Sequence, residues 1–557
     1  MELSGAEIVI RTLMEQHVDT IYGYPGASVI DIFDALYDVQ DRIRFVLCAD
    51  EQGATHAAGG YARASGKPGV VIATSGPGAT NLVTGIAAAQ LDSVPLVVVT
   101  GNVSSQNIAT DAFQEIDICG VTLPITKHNY FVSDAEGLGD IIREAFFIAC
   151  SGRPGPVLVD ITKDAQTAVC SWHEEPAKEP LRQRVLASDS ELEEAARAIN
   201  EAKRPYVYFG GGVICSGAEQ EVIELADAID APLGCSLMGI SAVPTSHPRF
   251  LGMEGMHGHV ASTMAMRECD VLIALGVRFN DRATGERSRF KKGATIVRID
   301  ADASELSKNT DDTYMLTGDL KLTLERLLPL IERRARASWS EYVAGMRLKE
   351  EHAQDKRSGL TPRSAMSALS ERLDGDTIVV TDVGQHQMWA AQYLSFERPR
   401  TFISNGGLGA MGFGIGAAIG AAQATDRRVV CIIGDGGFSM CMAELQTAVT
   451  EGVDLCVLLM DNRVLGMVRQ WQSIFYDRRH IATSLADRSC DYVLLARAFS
   501  CKGTTAETLE ELSDALDEAL GSHGVFLIDC RIDSEELVLP MIAPQGSLAD
   551  VIDRMGE

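Results

Sequence analysis

Positive charge is what this chain has least of: 49 lysines and arginines stand against 77 aspartates and glutamates, a formal net charge of −28. An acid excess of that size repels nucleic acid and anionic lipid headgroups, so neither is an expected partner. Paired cysteines are missing too. The thirteen cysteines are odd in number, scattered through apolar runs and without a C-x-x-C pair. They read as reduced core residues of a cytoplasmic protein rather than as a disulfide or zinc framework. The opening Met1-Glu2-Leu3-Ser4-Gly5-Ala6-Glu7 runs straight into an amphipathic helix with no basic region or long apolar segment, so no leader is expected. The longest membrane-like run, Gly406 to Ala422, is built from glycine and alanine. It is too short and too weakly apolar to span a bilayer. No short tandem repeat is visible.

What is present is a long, ordinary globular composition. The 557 residues are 46% hydrophobic and 23% charged, which suggests roughly three domains of about 180 residues. Apolar runs such as Val70-Val71-Ile72-Ala73 and Leu96-Val97-Val98-Val99-Thr100 end in glycine turns and alternate with helical segments. That rhythm fits parallel strands buried on both faces with helices as crossovers. Two polar stretches interrupt it: Ser171 to Pro180, of linker composition, and the charge run Leu348 to Arg357, read as a solvated helix and connection. The expected fold class is therefore α/β, with three doubly wound parallel-sheet domains at about 1–168, 182–340 and 360–540.

The densest chemistry lies near the end. The strand Val429-Val430-Cys431-Ile432-Ile433 runs into Gly434-Asp435-Gly436-Gly437, and a second strand, Leu455 to Met460, ends in Asp461-Asn462; 25 residues lie between Gly436 and Asn462. Two hard oxygen ligands at strand ends, with glycines that let backbone N–H groups approach an anion, suit a diphosphate held through Mg²⁺. Nearer the start, Glu51 follows the strand-like Phe45-Val46-Leu47-Cys48 and opens a helix. On position alone it reads as a favourable contact with the helix dipole.

The Gly-Asp-Gly…Asn pattern resembles the thiamine diphosphate (ThDP) signature of decarboxylases and carboligases, and Asp50-Glu51-Gln52-Gly53-Ala54 resembles their N-terminal domain. Further phrases extend the likeness along the whole chain. They are Gly23-Tyr24-Pro25-Gly26-Ala27, Thr74-Ser75-Gly76-Pro77-Gly78-Ala79-Thr80-Asn81, Thr110-Asp111-Ala112-Phe113-Gln114-Glu115, Gly152-Arg153-Pro154-Gly155-Pro156, Gly384-Gln385-His386-Gln387-Met388-Trp389, Gly406 to Gly412, and Leu465-Gly466-Met467-Val468-Arg469-Gln470-Trp471. In this order they resemble the catalytic subunits of the acetohydroxyacid (acetolactate) synthase family.

The resemblance implies roles. Glu51 would hydrogen-bond N1′ of the aminopyrimidine and promote deprotonation of the thiazolium C2. Tyr24, Pro25 and Gly26 would flank the cofactor; Gln385, His386 and backbone near Gly409, Gly436, Gly437 and Gly466 would hold the diphosphate. Asp435, Asn462 and the carbonyl of Val464 would ligate the metal, and Met411 would support the bent cofactor. Gln114, Met467 and Trp471 belong to the reaction pocket, Trp471 as the wall that selects the acceptor. Lys163 and Arg282 are placed near the substrate entrance, because a 2-oxo acid carboxylate needs a cation. In the middle domain, Gly210-Gly211-Gly212, Gly255-Met256-His257-Gly258 and Arg278-Phe279-Asn280-Asp281-Arg282 resemble an FAD-binding domain, with Arg153, Gly210, Gly211, Gly212, Met256, His257, Arg278 and Asp300 as contacts.

The implied reaction joins the two-carbon unit of pyruvate to pyruvate or 2-oxobutyrate, in branched-chain amino-acid synthesis. The implied assembly is a homodimer or homotetramer, with a small regulatory subunit as a further partner. An FAD-free catabolic acetolactate synthase and a pyruvate oxidase are the alternative enzymes, and an inactive paralogue the alternative of another class. Glyoxylate carboligase is disfavoured by the presence of Glu51. Asp50, Ser28, Ser104, Asn280 and Gly437 depart from the family's common residues without removing a catalytic group.

Overall fold

The computed structural model describes residues 1–557 except 179, 181–184, 291–292, 354–358, 489, 544–545, 549 and 553–557. Short runs of valine, isoleucine and leucine make the strands, and turn glycines and helix caps end them. The first unit contains β1 (Glu2–Ser4), β2 (Thr20–Tyr24), β3 (Arg44–Leu47), β4 (Gly69–Ala73), β5 (Leu96–Asn102), β6 (His128–Val132), β7 (Pro156–Thr162) and β8 (Val169–Ser171). Six of these form a sheet in the order β3-β2-β4-β5-β7-β6, and every pairing in it is parallel. β1 and β8 pair antiparallel outside it, with Glu2 opposite Ser171.

The middle unit holds β9 (Pro205–Phe209), β10 (Leu233–Cys235), β11 (Phe250–Met253), β12 (Val271–Leu275), β13 (Thr295–Asp300) and β14 (Tyr314–Thr317), parallel in the order β11-β10-β9-β12-β13-β14. The last unit holds β15 (Ile378–Thr381), β16 (Phe402–Ile403), β17 (Val429–Gly434), β18 (Leu455–Asp461), β19 (Lys502–Ala506) and β20 (Val525–Arg531), followed by a small ribbon of β21 (Met541–Ile542) and β22 (Val551–Ile552). Its sheet order, β16-β15-β17-β18-β20-β19, repeats that of the first unit strand for strand. The expected three doubly wound α/β sheets are present. Strands β4, β5, β7, β9, β12 and β18 are buried along their whole length, which is why they read as continuous apolar runs rather than alternating ones.

The units are joined tightly. One apolar cluster runs from Leu233, Leu275 and Leu324 of the middle unit to Trp389, Phe396 and Phe402 of the last. The first and last units meet where the helix Glu51–Ser65 lies against the helix Gly414–Ala424. A Cβ added at Gly60 would come within 2.0 Å of the Ala417 carbonyl oxygen, and one at Gly420 within 1.8 Å of the Ala57 carbonyl oxygen. The glycine- and alanine-rich run that is too weakly apolar for a membrane is thus half of a close helix–helix seam. Among the described residues no helix is long and apolar enough to cross a membrane.

Each polar stretch is anchored at one point. Ser171 is in β8, and Trp172 is buried with its indole N–H donating to Thr12 Oγ1 at 3.2 Å, so the start of that stretch is packed onto the first unit. Glu179 and the boundary near residue 182 lie outside the described residues. The charge run begins inside the helix Ala337–Ala353, where the Glu350 carboxylate accepts from the backbone N–H groups of Val260 and Ala261, both at 2.9 Å. That carboxylate ties the helix to the middle unit, while Leu348 and Lys349 beside it are exposed, as a solvated helix face requires. The rest of that run, from residue 354, is outside the described residues.

Replacing glycine by alanine inside a helix normally stabilises by about 1 kcal/mol, whereas overpacking a close contact costs about 1–3 kcal/mol. Gly60→Ala is therefore expected to destabilise the protein, toward the upper end of that range, because the obstacle is a carbonyl and not a movable side chain. Equilibrium denaturation of the variant checks the sign; unchanged or raised stability would show that the seam is looser than described.

Candidate functional site

In open α/β sheets ligands sit beyond the carboxyl ends of the strands, where the strand order reverses. All three sheets place their glycine turns there. In the last unit the reversal lies between β15 and β17, whose ends carry Gly384 and Asp435; in the middle unit it lies between β9 and β12, whose ends carry Gly210 and Gly276. These two crevices merge into one cavity of about 1680 Å³, larger than the ~300–1,000 Å³ of an ordinary single-ligand pocket.

The last unit's wall is built from paired strand ends. The register sets Gly434 opposite Met460, so Asp435 and Asn462 emerge side by side. Asp435 Oδ1 accepts from Gly436 N at 2.9 Å and Asn462 Oδ1 from Val464 N at 3.2 Å. Burial first, and then the neighbouring Asp461 carboxylate, push the Asp435 acid up to about 7; a divalent cation would relieve both effects. Among the described residues no group of three or more His, Cys, Asp and Glu side chains could cage a metal alone. The set of a carboxylate, an amide oxygen and the Val464 carbonyl suits Mg²⁺ completed by phosphate oxygens and water. His386 fits such a phosphate: burial lowers its imidazole to about 4, and its Nε2 is buried without a partner. Gln385 lines the same wall. Its amide N–H groups donate to Gln470 Oε1 (3.0 Å) and the Glu536 carbonyl (2.9 Å), and its oxygen accepts from Asn462 Nδ2 (3.2 Å), so its side chain orients the metal-side residues. Gly409, at φ 71°, and Met411 come from the loop before the Gly414–Ala424 helix. Gly436, Gly437, Gly466 and Met467 complete this wall.

The opposite wall comes from the middle unit and carries Gly211, Gly212, Met256, His257, Arg278, Arg282 and Asp300, with Arg153 reaching in from the first unit. Gly210 lies just behind the lining residues, its backbone N–H bonded to Leu275 O. The Arg278 guanidinium is held below its usual range by burial and then by Arg153, with Asp92, Glu305 and Asp300 opposing more weakly. An anion is what it lacks. Burial also raises the Asp300 acid to about 6. Where the walls converge, the Arg282 guanidinium stacks over the Trp471 indole at 5.4 Å from the ring centroid and approaches Met256 Sδ at 3.4 Å. A cation on an aromatic face, open to the cavity, is suited to receive a small carboxylate.

Six sequence-derived candidates are not in this cavity. Tyr24, Pro25, Gly26, Glu51, Gln114 and Lys163 lie at the carboxyl ends of the first sheet, outside the lining residues. Glu51 heads its helix, nearly buried, and accepts from Asn81 Nδ2 at 2.9 Å. Gln114 packs against Gly76. The Lys163 ammonium pairs with Asp31 at 2.6 Å and donates to the Ala27 carbonyl at 3.1 Å, so in one chain it faces its own unit rather than the cavity. Large apolar side chains stand exposed nearby, Phe113 at 87% and Tyr24 at 42%.

Several supporting residues carried no motif. Asp382 ends β15 as Asp435 ends β17, and its buried carboxylate accepts from Gly412 N (3.2 Å) and Gly414 N (2.7 Å); a carboxylate closing an apolar strand was the available signal. Asp92, from the first unit, accepts from Gly407 N (2.7 Å), Asn405 Nδ2 (3.0 Å) and Arg63 Nη2 (2.7 Å) and so fixes the loop that carries Gly409 and Met411. Nothing local marks it.

Comparison with known proteins agrees with this geometry. Three family profiles match in sequence: the N-terminal TPP binding domain of thiamine pyrophosphate enzymes over residues 3–121, their central domain over 192–327 and their C-terminal TPP binding domain over 382–530. The chain is 43% identical to the acetolactate synthase isozyme 2 large subunit of Escherichia coli, covering 99% of this chain and 100% of that one. It is 41% identical to the isozyme 1 large subunit of the same organism (99% and 97% covered) and to a probable acetolactate synthase large subunit of Methanocaldococcus jannaschii (99% and 95%).

Asp92→Ala leaves a buried arginine unpaired and frees two donors of the 405–412 loop, so a loss of about 3–5 kcal/mol is expected. Limited proteolysis should then cut within that loop before any other segment of the last unit. Wild-type stability in the variant would mean that Asp92 does not hold the loop.

Proposed function

The chain belongs to the acetolactate synthase family of thiamine pyrophosphate enzymes, and from that membership we propose how its cavity and its N-terminal face share one reaction. Pyruvate loses CO₂, and its remaining two-carbon unit is joined to a second 2-oxo acid in branched-chain amino-acid biosynthesis. Thiamine diphosphate supplies, when bound, the electron sink that lets the carboxylate leave.

The residues divide into holders and actors. His386 and backbone near Gly409, Gly436 and Gly466 hold the diphosphate; Asp435, Asn462 and the Val464 carbonyl hold Mg²⁺; Gln385 fixes Asn462 from behind. Met411 supports the cofactor's fold. Arg282 receives the 2-oxo acid carboxylate, and Trp471 with Met467 forms the wall against the acceptor's alkyl group. Glu51 holds a proton at N1′ of the aminopyrimidine, flanked by Tyr24, Pro25, Gly26 and Gln114, with Lys163 at the approach. The middle wall, with its anion-seeking Arg278, takes FAD. The observation that carries this reading is the single cavity that joins Asp435, Asn462 and His386 to Arg282 over Trp471.

Glu51 lies outside that cavity in its own chain, so we propose that it serves the cavity of a second copy and that the working unit is at least a homodimer. The units span about 1–168, 182–340 and 360–540. The relatives are named large subunits, which supports a small regulatory subunit as a further partner; the acid excess and unpaired cysteines support a cytoplasmic enzyme. A product assay with pyruvate, alone and with 2-oxobutyrate, tests the activity directly, and absence of acetolactate would overturn it.

Glu51→Gln should keep the fold and lose about 10²-fold or more in turnover, because the amide cannot follow the proton at N1′. Asp435→Ala should instead lose Mg²⁺-dependent cofactor retention. Co-expressed in equal amounts, the two inactive variants should recover about a quarter of wild-type activity, since half of random dimers are mixed and each then holds one intact site. No recovery would place both residues in the same chain's site.

Trp471→Leu should retain acetolactate formation and lose most of any preference for 2-oxobutyrate. One methylene in an apolar pocket is worth about 1–3 kcal/mol of discrimination. Competition between the two acceptors reads this out; an unchanged product ratio in an active variant would remove Trp471 from acceptor selection.

A further inference from the structure

One carboxyl in the middle wall is used by nothing described so far. Glu254 follows directly on β11, is 4% exposed and lines the cavity beside Tyr208, Met256 and Phe279. Its main chain is anchored through its N–H to Cys235 O at 2.8 Å. Neither of its carboxyl oxygens makes a hydrogen bond of ordinary geometry in the protein, although the Tyr208 hydroxyl lies close by, and Nδ1 of His257 is without a partner as well. A buried polar group left unsatisfied costs about 1–3 kcal/mol, and native proteins keep few of them without a reason. Burial pushes the Glu254 acid well above the usual carboxylate range, opposed only in part by the Tyr208 hydroxyl. A carboxyl buried without a cation partner favours its neutral form, which has one O–H to donate and one C=O to accept.

Its place in the sheet says what it could meet. The strand order β11-β10-β9-β12-β13-β14 puts the Gly211–Gly212 turn, after β9, in the middle of the wall, with Asp300 at the end of β13 to one side and Glu254 after β11 to the other. A dinucleotide lying across the strand ends with its pyrophosphate on the glycine turn therefore reaches Asp300 with one end and Glu254 with the other. A carboxylate such as Asp300 suits the adjacent hydroxyls of a ribose. The Glu254 end is different. Beside it lies the Tyr208 ring of β9, and the wall continues there through Met256 and His257 to Arg282 over Trp471. A flat heteroaromatic ring fits it. The pyrimidinedione edge of an isoalloxazine offers N3–H between two carbonyls, and a carboxyl can pair with it twice: its C=O accepts from N3–H, and its O–H donates to a carbonyl.

We propose that Glu254 is a flavin-binding residue whose carboxyl hydrogen-bonds the pyrimidinedione edge of FAD and raises the flavin's electron affinity. The proposal rests on the reading of the middle wall as an FAD site. Donation to a ring carbonyl draws electron density from the isoalloxazine and favours its reduced form, so removing the donor makes reduction harder.

The test compares Glu254→Leu, which has neither donor nor acceptor, with Glu254→Gln, which keeps one of each. Glu254→Leu should bind FAD about 3- to 10-fold more weakly, the worth of one or two neutral hydrogen bonds. Its bound flavin should show a shifted visible band and a more negative midpoint potential, whereas Glu254→Gln should stay near wild type. Without FAD, Glu254→Leu should be more stable than wild type, because the orphaned acid is gone; with FAD that advantage should shrink or reverse. A purely structural role would move both forms alike. In unmutated protein, the infrared difference between FAD-loaded and FAD-free forms should contain a protonated-carboxyl C=O band that shifts on loading and is missing from Glu254→Gln. Wild-type affinity, spectrum and potential in Glu254→Leu, or no carboxyl band in the difference spectrum, would overturn the proposal while leaving the FAD site standing. Failure of the unmutated protein to take up FAD at all would overturn the FAD reading and this assignment together.

Discussion

The contact that the rest of the molecule hangs on is the seam between the Glu51–Ser65 and Gly414–Ala424 helices. Backbone meets backbone there, with no side chain between Gly60 and the Ala417 carbonyl or between Gly420 and the Ala57 carbonyl, which gives the seam little room to slide or tilt. Its upper end is tied further by Glu444, whose carboxylate accepts from Ala49 N and Asp50 N at 3.1 and 3.4 Å. The head of the Glu51 helix is thereby fixed with respect to the last unit of its own chain. That rigidity keeps the nearly buried Glu51 outside its own chain's cavity.

The cavity's buried ionisable groups are out of balance as the chain stands alone. Asp435 and Asp300 are pushed up, His386 and Arg278 pushed down, and desolvation is the leading cause in each case. Groups poised in this way at one place are characteristic of functional sites. Under the proposed function three of them would gain a counterpart: a cation for Asp435, phosphate for His386 and an anion for Arg278. Ligands that supply those counterparts bind the folded chain and not the unfolded one, so occupancy and stability rise together.

The fold was legible in the sequence because parallel strands buried on both faces, such as β5 and β18, are unbroken apolar runs, and because their ends carry glycine turns. Asp435 and Asn462 were legible for the same reason: each closes such a run, and the runs prove to be neighbours. Glu51 could be read only from the words around it, since a glutamate heading a helix has an ordinary explanation. Asp92, Gln470 and Glu254 could not be read at all. Their significance lies in what the fold brings to them from other elements, over more than 300 residues for Asp92 and the loop at Gly407, and no local spacing encodes that. The shared strand order of the first and last sheets was likewise invisible, because it resides in connectivity, not in residue identity. Trp172 and Glu350 show the converse: within stretches of polar composition, one indole packs into the first unit and one carboxylate caps a helix of the middle unit.

The antiparallel pair β1–β8 carries a consequence for how the protein is made. Glu2 is opposite Ser171, so β1 waits during synthesis without a pairing partner until the chain has been made past β8. The first sheet can assemble in the meantime, since its six strands all lie between these two. Closure of β1 on β8, with Trp172 folding in beside it, is then a late latch on an already formed unit, and it is set just as the middle unit begins to emerge.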